Sequence, residues 1–495
     1  MPPGSYEVTS VSALNDFHNK VFMPNVALLA EQQLRGILVD QEILLACRDS
    51  LTERITAAMD KFLSHPQVAP HIAEYNAEVR AAWMRARPPT FLKDGKTVSK
   101  RWEAWRDREE RWLDDNGFNV NSKQQLAWLL YDKLNHPVLV FTETGRPAVS
   151  RKVLPSLGEP GKLLSKYNLY KKRLGYVEAM IAKTARDGLL HPQFNTVGTV
   201  TGRLGGSSGL NLQQMPKVAE FLAALKARPG HKLVQADAEA LEPVILAEFS
   251  QDRTLMKLYG PDAKQNDIYL YVGAQLPGIG ESIRRWYDPE NPQPEGIAAA
   301  KEHCKKERAV AKIVVLAANY NAGPLKIQET MKFAGIDLSL TEVRAIHRAY
   351  WRLFAGVKRF EEKLRDMWTV REGWIPSILG TPICVDAEYV KDIVNRFCQT
   401  SGHQVLQLWI SHIDRLRKER GVTMHPWLVD NHDESIWECP EEQADAAAQI
   451  MRDALDCTNA ELGMGIPIKA PPMIVGNLAE IKDPNGWKDL CAKSS

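Results

Sequence analysis

The chain has 495 residues, 44% of them hydrophobic and 25% charged, values of an ordinary folded protein that exclude a disordered or fibrous one. Its 63 Lys and Arg balance 61 Asp and Glu to a formal +2, so any nucleic-acid binding must come from local basic faces rather than the whole-molecule field. Seven scattered cysteines form no Cys-x-x-Cys pair and no zinc spacing, which reads as reduced thiols. The first five residues lack a signal peptide's basic start and apolar core, and no long uncharged apolar segment follows. The expectation is a soluble, intracellular chain without a membrane span, long enough for about three subdomains.

In chain order, residues 11 to 65 carry helical apolar stripes interrupted at Gly36. Residues 77 to 113 are rich in Arg and Trp. They read either as cations and stacking surfaces for phosphates and bases or as a solvated face with its tryptophans in the core. A helix start capped by Asn or Ser lies within Phe118 to Leu126, a turn at Thr142 to Pro147, and two helices are expected over 160 to 187. Between Gly198 and Gly209 five glycines surround Arg203, with Asn211 and Gln213 close behind. Here the backbone can approach a ligand, or the stretch is a plain surface loop.

Leu233-Val234-Gln235-Ala236-Asp237 is an apolar run ending at an acid, the pattern of a buried strand that delivers a carboxylate to an edge. Pro243 fits the first turn of a following helix, with Leu241, Ile245 and Phe249 at four-residue spacing. Residues 277 to 294 read as an ordered loop or insertion. A helix over Lys301 to Asn321 places Arg308, Lys312, Leu316 and Tyr320 along one slowly turning stripe, suited to a triphosphate with a base beside it or, more blandly, to a surface cation pair over a core edge. Helices are expected over 340–370 and 386–420 with a turn or hairpin between them. Trp427 to Trp437 reads as two short strands around an acidic turn, followed by a helix opening at Pro440. Adjacent Asp433 and Glu434 repel each other unless a cation is present; solvated turn acids are the alternative.

Two strand-borne acids, Asp237 and Asp433, could meet on one sheet and hold two Mg²⁺ ions for in-line phosphoryl transfer, with Arg308 and Lys312 neutralising triphosphate charge. The order and identity of these residues resemble the polymerase region of family A DNA polymerases. Asp237 to Glu242 is similar to that family's motif A, Arg308-x-x-x-Lys312 with Tyr320 to motif B, and His432-Asp433-Glu434 to motif C. Thr201 to Leu204 with Asn211 to Gln213 resembles its template-primer segment, Asn395 and Gln399 its palm helix, and Phe118 to Leu126 its thumb. The likeness runs in order over roughly residues 20 to 490.

The resemblance implies an α+β right-hand polymerase fold with an antiparallel-sheet palm, helical fingers and a helical thumb. Its layout would be 1–195 N-terminal segment and thumb, 196–250 first part of the palm, 251–399 fingers and following helices, and 400–495 second part of the palm. Asp237, the Ala238 carbonyl and Asp433 would bind two Mg²⁺ ions, replaceable by Mn²⁺, with Glu434 nearby. Arg308 and Lys312 would grip the phosphates of a deoxynucleoside triphosphate, Leu316 would lie on the nucleotide side of the helix, Tyr320 would stack near the template base, and Glu242 would exclude a ribose 2′-hydroxyl. Arg203, Asn211, Gln213, Asn395, Gln399 and His432 would contact primer-template DNA.

Several positions depart from that pattern: Ala238-Glu239-Ala240 and Pro243-Val244 in motif A, Leu316 where Phe or Tyr is usual, Asn321 where Gly follows the tyrosine, and Tyr269 where a phosphate-contacting His is usual. None removes an implied metal ligand. The expected activity is primer extension, without proofreading in this chain because thumb-like sequence begins near residue 20, and a phage or prophage origin fits. A single-subunit RNA polymerase and a non-catalytic primer-template binder are the rival readings.

Overall fold

The computed structural model describes residues 11–93, 95–108, 116–196, 198–206, 210–261, 263, 266–319 and 321–482. They divide into two units: one is Met1–Cys47, Tyr176–Lys332 and Ile336–Ser495, the other Arg48–Gly175 with Phe333–Gly335.

The first unit is built on a four-stranded antiparallel sheet. Its strands are β1 (His231–Asp237), β2 (His425–Asn431), β3 (Glu434–Pro440) and β4 (Met473–Val475), in the order β4-β1-β3-β2. In β1, Leu233, Val234, Gln235 and Ala236 are all buried, so the strand is covered on both faces and reads as a continuous apolar run instead of an alternation. β2 and β3 form the expected hairpin around a two-residue turn. His432 sits in the turn at φ +66°, in the left-handed region a tight turn demands. The register places Asp237 opposite Glu434, and the Ala238 N–H donates to the Asp433 carbonyl at 2.8 Å just beyond it.

A 27-residue helix, α5 in the numbering that follows, spans Ile393–Glu419 and packs against Ala444–Leu462 and the sheet; the Trp409 indole N–H donates to the Met451 carbonyl at 3.0 Å. Ahead of it lie α1 (Leu241–Ser250), α2 (Ile268–Gln275), α3 (Pro294–His303) and α4 (Lys305–Asn319). The expected helix over Lys301 to Asn321 is therefore two. The chain leaves helical geometry at Cys304, φ −114° and ψ 40°, and Lys301 belongs to α3. The helical stretch 340–370 likewise breaks at Phe354, while the hairpin between 373 and 385 is present as Trp374–Pro376 paired with Pro382–Cys384. Residues 158–184 form one helix instead of the two expected, because the glycine at 175 weakens a helix without stopping it.

One arginine near the start of the chain and one just before β1 tie to the sheet. Arg35, after which Gly36 turns at φ +68°, and Arg228 both pair with Glu438 of β3, at 2.8 and 2.7 Å. The Glu438 side chain is wholly buried. Burial alone would push its carboxyl up, but the Arg228 backbone N–H and the guanidiniums of Arg35 and Arg228 override this and hold it below the ordinary glutamate value.

The second unit is helical, with Phe62, Leu129, Leu130, Leu154, Leu157 and Leu164 in its core. Ser122 caps Lys123–Ala127 by accepting from the Gln125 N–H, as its sequence predicts. In the Arg/Trp stretch, Trp83 is buried and stacks on Trp105 at 4.9 Å with an interplanar angle of 8°, and Arg106 covers Trp102, so these indoles pack internally. Arg111 and Trp112 lie outside the described residues.

Removing the charge of Glu438 leaves two arginines facing a buried neutral group. Glu438→Gln should cost about 3 kcal/mol of unfolding free energy at pH 7, measured by urea denaturation. Because the folded carboxyl lies below its unfolded value of 4.5, the stabilisation is full above that pH. The difference between wild type and variant should shrink as pH falls below 4.5, through the folded value.

Candidate functional site

The end of the sheet gathers the acids named from sequence. Asp237 closes β1, Asp433 lies in the β2–β3 turn, and the bond from the Ala238 N–H to the Asp433 carbonyl fixes the two peptide segments against each other. Both acidic residues are exposed, whereas Ala238 is buried. Glu434 is engaged differently: Gln235 Nε2 donates to its Oε2 at 3.1 Å and the Asn431 side-chain amide to its Oε1. In this arrangement Glu434 braces the hairpin. Among the described residues no group of three or more His, Cys, Asp and Glu stands ready for a metal. Asp237 and Asp433 still supply exposed, hard oxygen donors on adjoining backbone segments, the ligand type Mg²⁺ prefers.

A cleft of about 250 Å³ opens beside them, lined by Arg203, Ala240, Leu241, Glu242, Pro243, Gly402, His432 and Asp433. Ala240 has φ +49°, and this left-handed residue turns the chain from β1 into α1, carrying Glu242 to the cleft wall. Arg203 and Glu242 form an ion pair there, with 29% and 34% of their side-chain surfaces exposed. His432 Nε2 reaches the Gln213 carbonyl at 3.2 Å, so the segment after Arg203 and the hairpin turn meet at this cleft. Asn211 caps the short helical turn Leu212–Gln214, accepting from the Gln213 N–H at 2.9 Å.

Behind Glu242 lies a second cavity, also about 250 Å³ and mainly apolar, with Leu246, Leu316, Tyr350, Phe354 and Asn395 in its wall. Glu242 and Pro243 line both. Leu316 is 45% exposed, an accessible apolar group on α4. Gln399, one turn beyond Asn395, is half-buried on α5. Tyr320 lies outside the described residues.

Arg308 and Lys312 meet at a different point, over Tyr269. The Arg308 guanidinium carbon lies 5.1 Å and Lys312 Nζ 5.8 Å from its ring centre. Asp267, just before α2, accepts from Arg308 Nη2 at 2.8 Å and Nε at 3.2 Å on Oδ2, while Oδ1 caps α2 through the Tyr269 and Leu270 N–H groups. Burial works to raise the Asp267 carboxyl, but the Arg308 hydrogen bond, the helix-end N–H groups and the nearby cations leave it below the ordinary value.

Sequence reasoning missed three features. Asp267 reads locally as a helix cap, and only the tertiary fold brings Arg308 to it. Gln235 and Asn431 carry no signal as the braces of Glu434. Beneath the hairpin, His403 of α5 and Asp430 of β2 are both 3% exposed, with Nδ1 and Oδ1 3.6 Å apart, longer than a hydrogen bond. Burial pushes the His403 imidazole down and the Asp430 carboxyl up, so both are driven toward their neutral forms.

Comparisons with known proteins agree on one family. The family model for DNA polymerase family A matches residues 91–288. DNA polymerase I of Chloroflexus aurantiacus is 22% identical over 472 residues, covering 91% of this chain and 42% of that protein. The thermostable DNA polymerase I of Thermus aquaticus is 25% identical over 364 residues (70% and 40%), and the DNA polymerase of Bacillus phage SP01 is 22% identical over 466 (88% and 47%). The chain thus spans less than half the length of these curated relatives. Among solved structures, the POL domain of Pol1 from M. smegmatis, in complex with DNA primer-template and dNTP, superposes with a TM-score of 0.70 at 18% identity, over 94% of this chain and 71% of that one. That likeness fixes the fold class expected from the sequence, an α+β polymerase fold with an antiparallel sheet. The sheet-end acids, the cleft and the match over residues 91–288 agree in making the chain similar to DNA polymerase family A.

Proposed function

We propose that this chain is a template-directed DNA polymerase that extends a primer 3′ end with deoxynucleoside triphosphates. The observation that carries the reading is the meeting of Asp237 and Asp433 at one sheet end, beside a cleft walled by Arg203, Glu242 and His432. In this reading the sheet with α1 and α5 is the palm, α2 to α4 belong to the fingers, and the unit of residues 48–175 supplies the thumb.

Asp237, Asp433 and the Ala238 carbonyl would hold two Mg²⁺ ions, which supply Lewis-acid activation of the attacking 3′-oxygen and charge stabilisation on the leaving one. The remaining roles fall to the protein's own side chains. Arg308 and Lys312 bind the phosphates, and Lys312, as an ammonium on an exposed stem, offers a proton and a charge to the departing pyrophosphate. Glu242, at the border between polar cleft and apolar cavity, occupies the space a ribose 2′-hydroxyl would need, while Leu316 presents an apolar edge to the sugar and base. Arg203, Asn211, Gln213, Asn395, Gln399 and His432 line the path of primer-template DNA and read its backbone and minor groove, contacts that position without demanding a sequence.

Primer extension on a templated hairpin with Mg²⁺ tests the reading. Deoxynucleotides should be incorporated opposite their complements, and Asp433→Ala should lower the rate by at least about a thousandfold while primer-template binding persists. Extension that survives in Asp433→Ala would sink the assignment, and binding without any extension in the wild type would favour a non-catalytic role. A 3′-mismatched primer should remain intact when no nucleotide is supplied.

The same assay addresses sugar choice. Glu242→Ala should raise ribonucleotide incorporation relative to deoxynucleotide by about a hundredfold or more, since the carboxylate that would clash with the 2′-hydroxyl disappears. Equal use of both sugars by the wild type would point instead to an RNA polymerase-like enzyme. Because the Arg203–Glu242 pair is partly solvated, thermal unfolding of Glu242→Ala should change by less than about 1 kcal/mol.

A further inference from the structure

Lys301, at the end of α3, points its ammonium at the carboxylate oxygen already held by Arg308: Lys301 Nζ lies 3.4 Å from Asp267 Oδ2. With Lys312 over the shared Tyr269 ring, three cations converge on one acid and one aromatic. Among the described residues no other carboxylate lies within 4.0 Å of any of the three. The cluster therefore carries a local excess of positive charge, and the excess matches a polyanion.

A counter-ion role for Lys301 accounts poorly for this placement. Asp267 is satisfied without it: two backbone N–H groups occupy Oδ1 and two guanidinium N–H groups Oδ2. The Lys301 contact is longer than a hydrogen bond, and half of the side chain is exposed, so the pair adds little attraction. Against that small gain stands repulsion from Arg308 at the same oxygen. A lysine kept there despite its like-charged neighbours is explained by a ligand that brings several negative charges. Its flexible four-carbon stem can also exchange the carboxylate for a phosphate oxygen without moving the backbone.

We propose that Lys301 is a third cationic ligand for the triphosphate tail of the incoming nucleotide, stored on Asp267 and transferred to a phosphate oxygen when the substrate arrives. The proposal rests on the nucleotide-binding reading of Arg308 and Lys312 above. It adds a residue from a separate helix, so the break at Cys304 gains a purpose: it lets α3 and α4 both contribute charge to one site.

Isothermal titration of the full chain with inorganic tripolyphosphate, beside steady-state primer extension, tests it. Lys301→Ala should weaken tripolyphosphate binding and raise the nucleotide KM, each about tenfold, with primer-template affinity and melting temperature unchanged; Lys301→Arg should stay within about threefold of wild type. Lys312→Ala is the reference for the site itself. If Lys312→Ala loses tripolyphosphate affinity and Lys301→Ala keeps it, Lys301 is only a counter-ion of Asp267 and the proposal fails while the phosphate site stands. If neither variant alters binding, the phosphate reading of the whole cluster fails with it.

Discussion

The register of β1 against β3 is the constraint on which the site depends. Asp237 faces Glu434, and one hydrogen bond further along Ala238 meets Asp433. Side chains alternate along a strand, so a slip of one residue would send Asp237 to the opposite face and part it from the hairpin. The buried run from Leu233 to Ala236 opposes such a slip, because it would strand apolar groups as well. Gln235 then serves a second purpose. Two residues before Asp237 and on its face, it reaches Glu434, 199 residues later in the chain, and ties the hairpin to the strand that carries the first acid.

Degree of burial separates the ion pairs that hold the fold from those that can be exchanged. Glu438 is wholly buried under two arginines, and its loss would leave charges that nothing else satisfies. Arg203 with Glu242, and Arg308 and Lys301 with Asp267, keep roughly 30 to 50% of their cationic side chains in solvent. The Arg203–Glu242 pair, about a third exposed on both sides, contributes little stability and can be exchanged at small cost. Asp267 is only 8% exposed, and the Tyr269 and Leu270 N–H groups on its Oδ1 are what remain to it if a cation turns to a phosphate.

The sequence was most legible where the pattern was local. The strand ending in Asp237, the helix opening near Pro243 and the acidic hairpin at 432–433 each follow from a few neighbouring residues, and each is present. Local pattern failed at the helix over Lys301 to Asn321, where uninterrupted helix formers gave no warning of the break at Cys304. It failed again for Asp267 and Glu434, whose partners arrive from distant elements; a carboxylate before a helix reads as a cap whether or not an arginine 41 residues away will use it. The resemblance placed Arg203 and Glu242 near one substrate, but not in contact, because an ion pair between residues of two separate motifs leaves no trace in either motif.

Glu242 brings these threads together. It stands where two cavities meet, with a paired carboxylate on the polar side and Leu246, Leu316 and Phe354 on the apolar side. A charged group at an apolar border is stable only while something compensates it, and Arg203 does so from the polar side. In the polymerase reading, an Arg203 that turned to a nucleic-acid backbone would leave the Glu242 carboxylate without that partner and open to a donor entering the cavity. The two proposed roles, one in the groove and one at the nucleotide sugar, would then draw on a single arginine that can satisfy only one of them at a time.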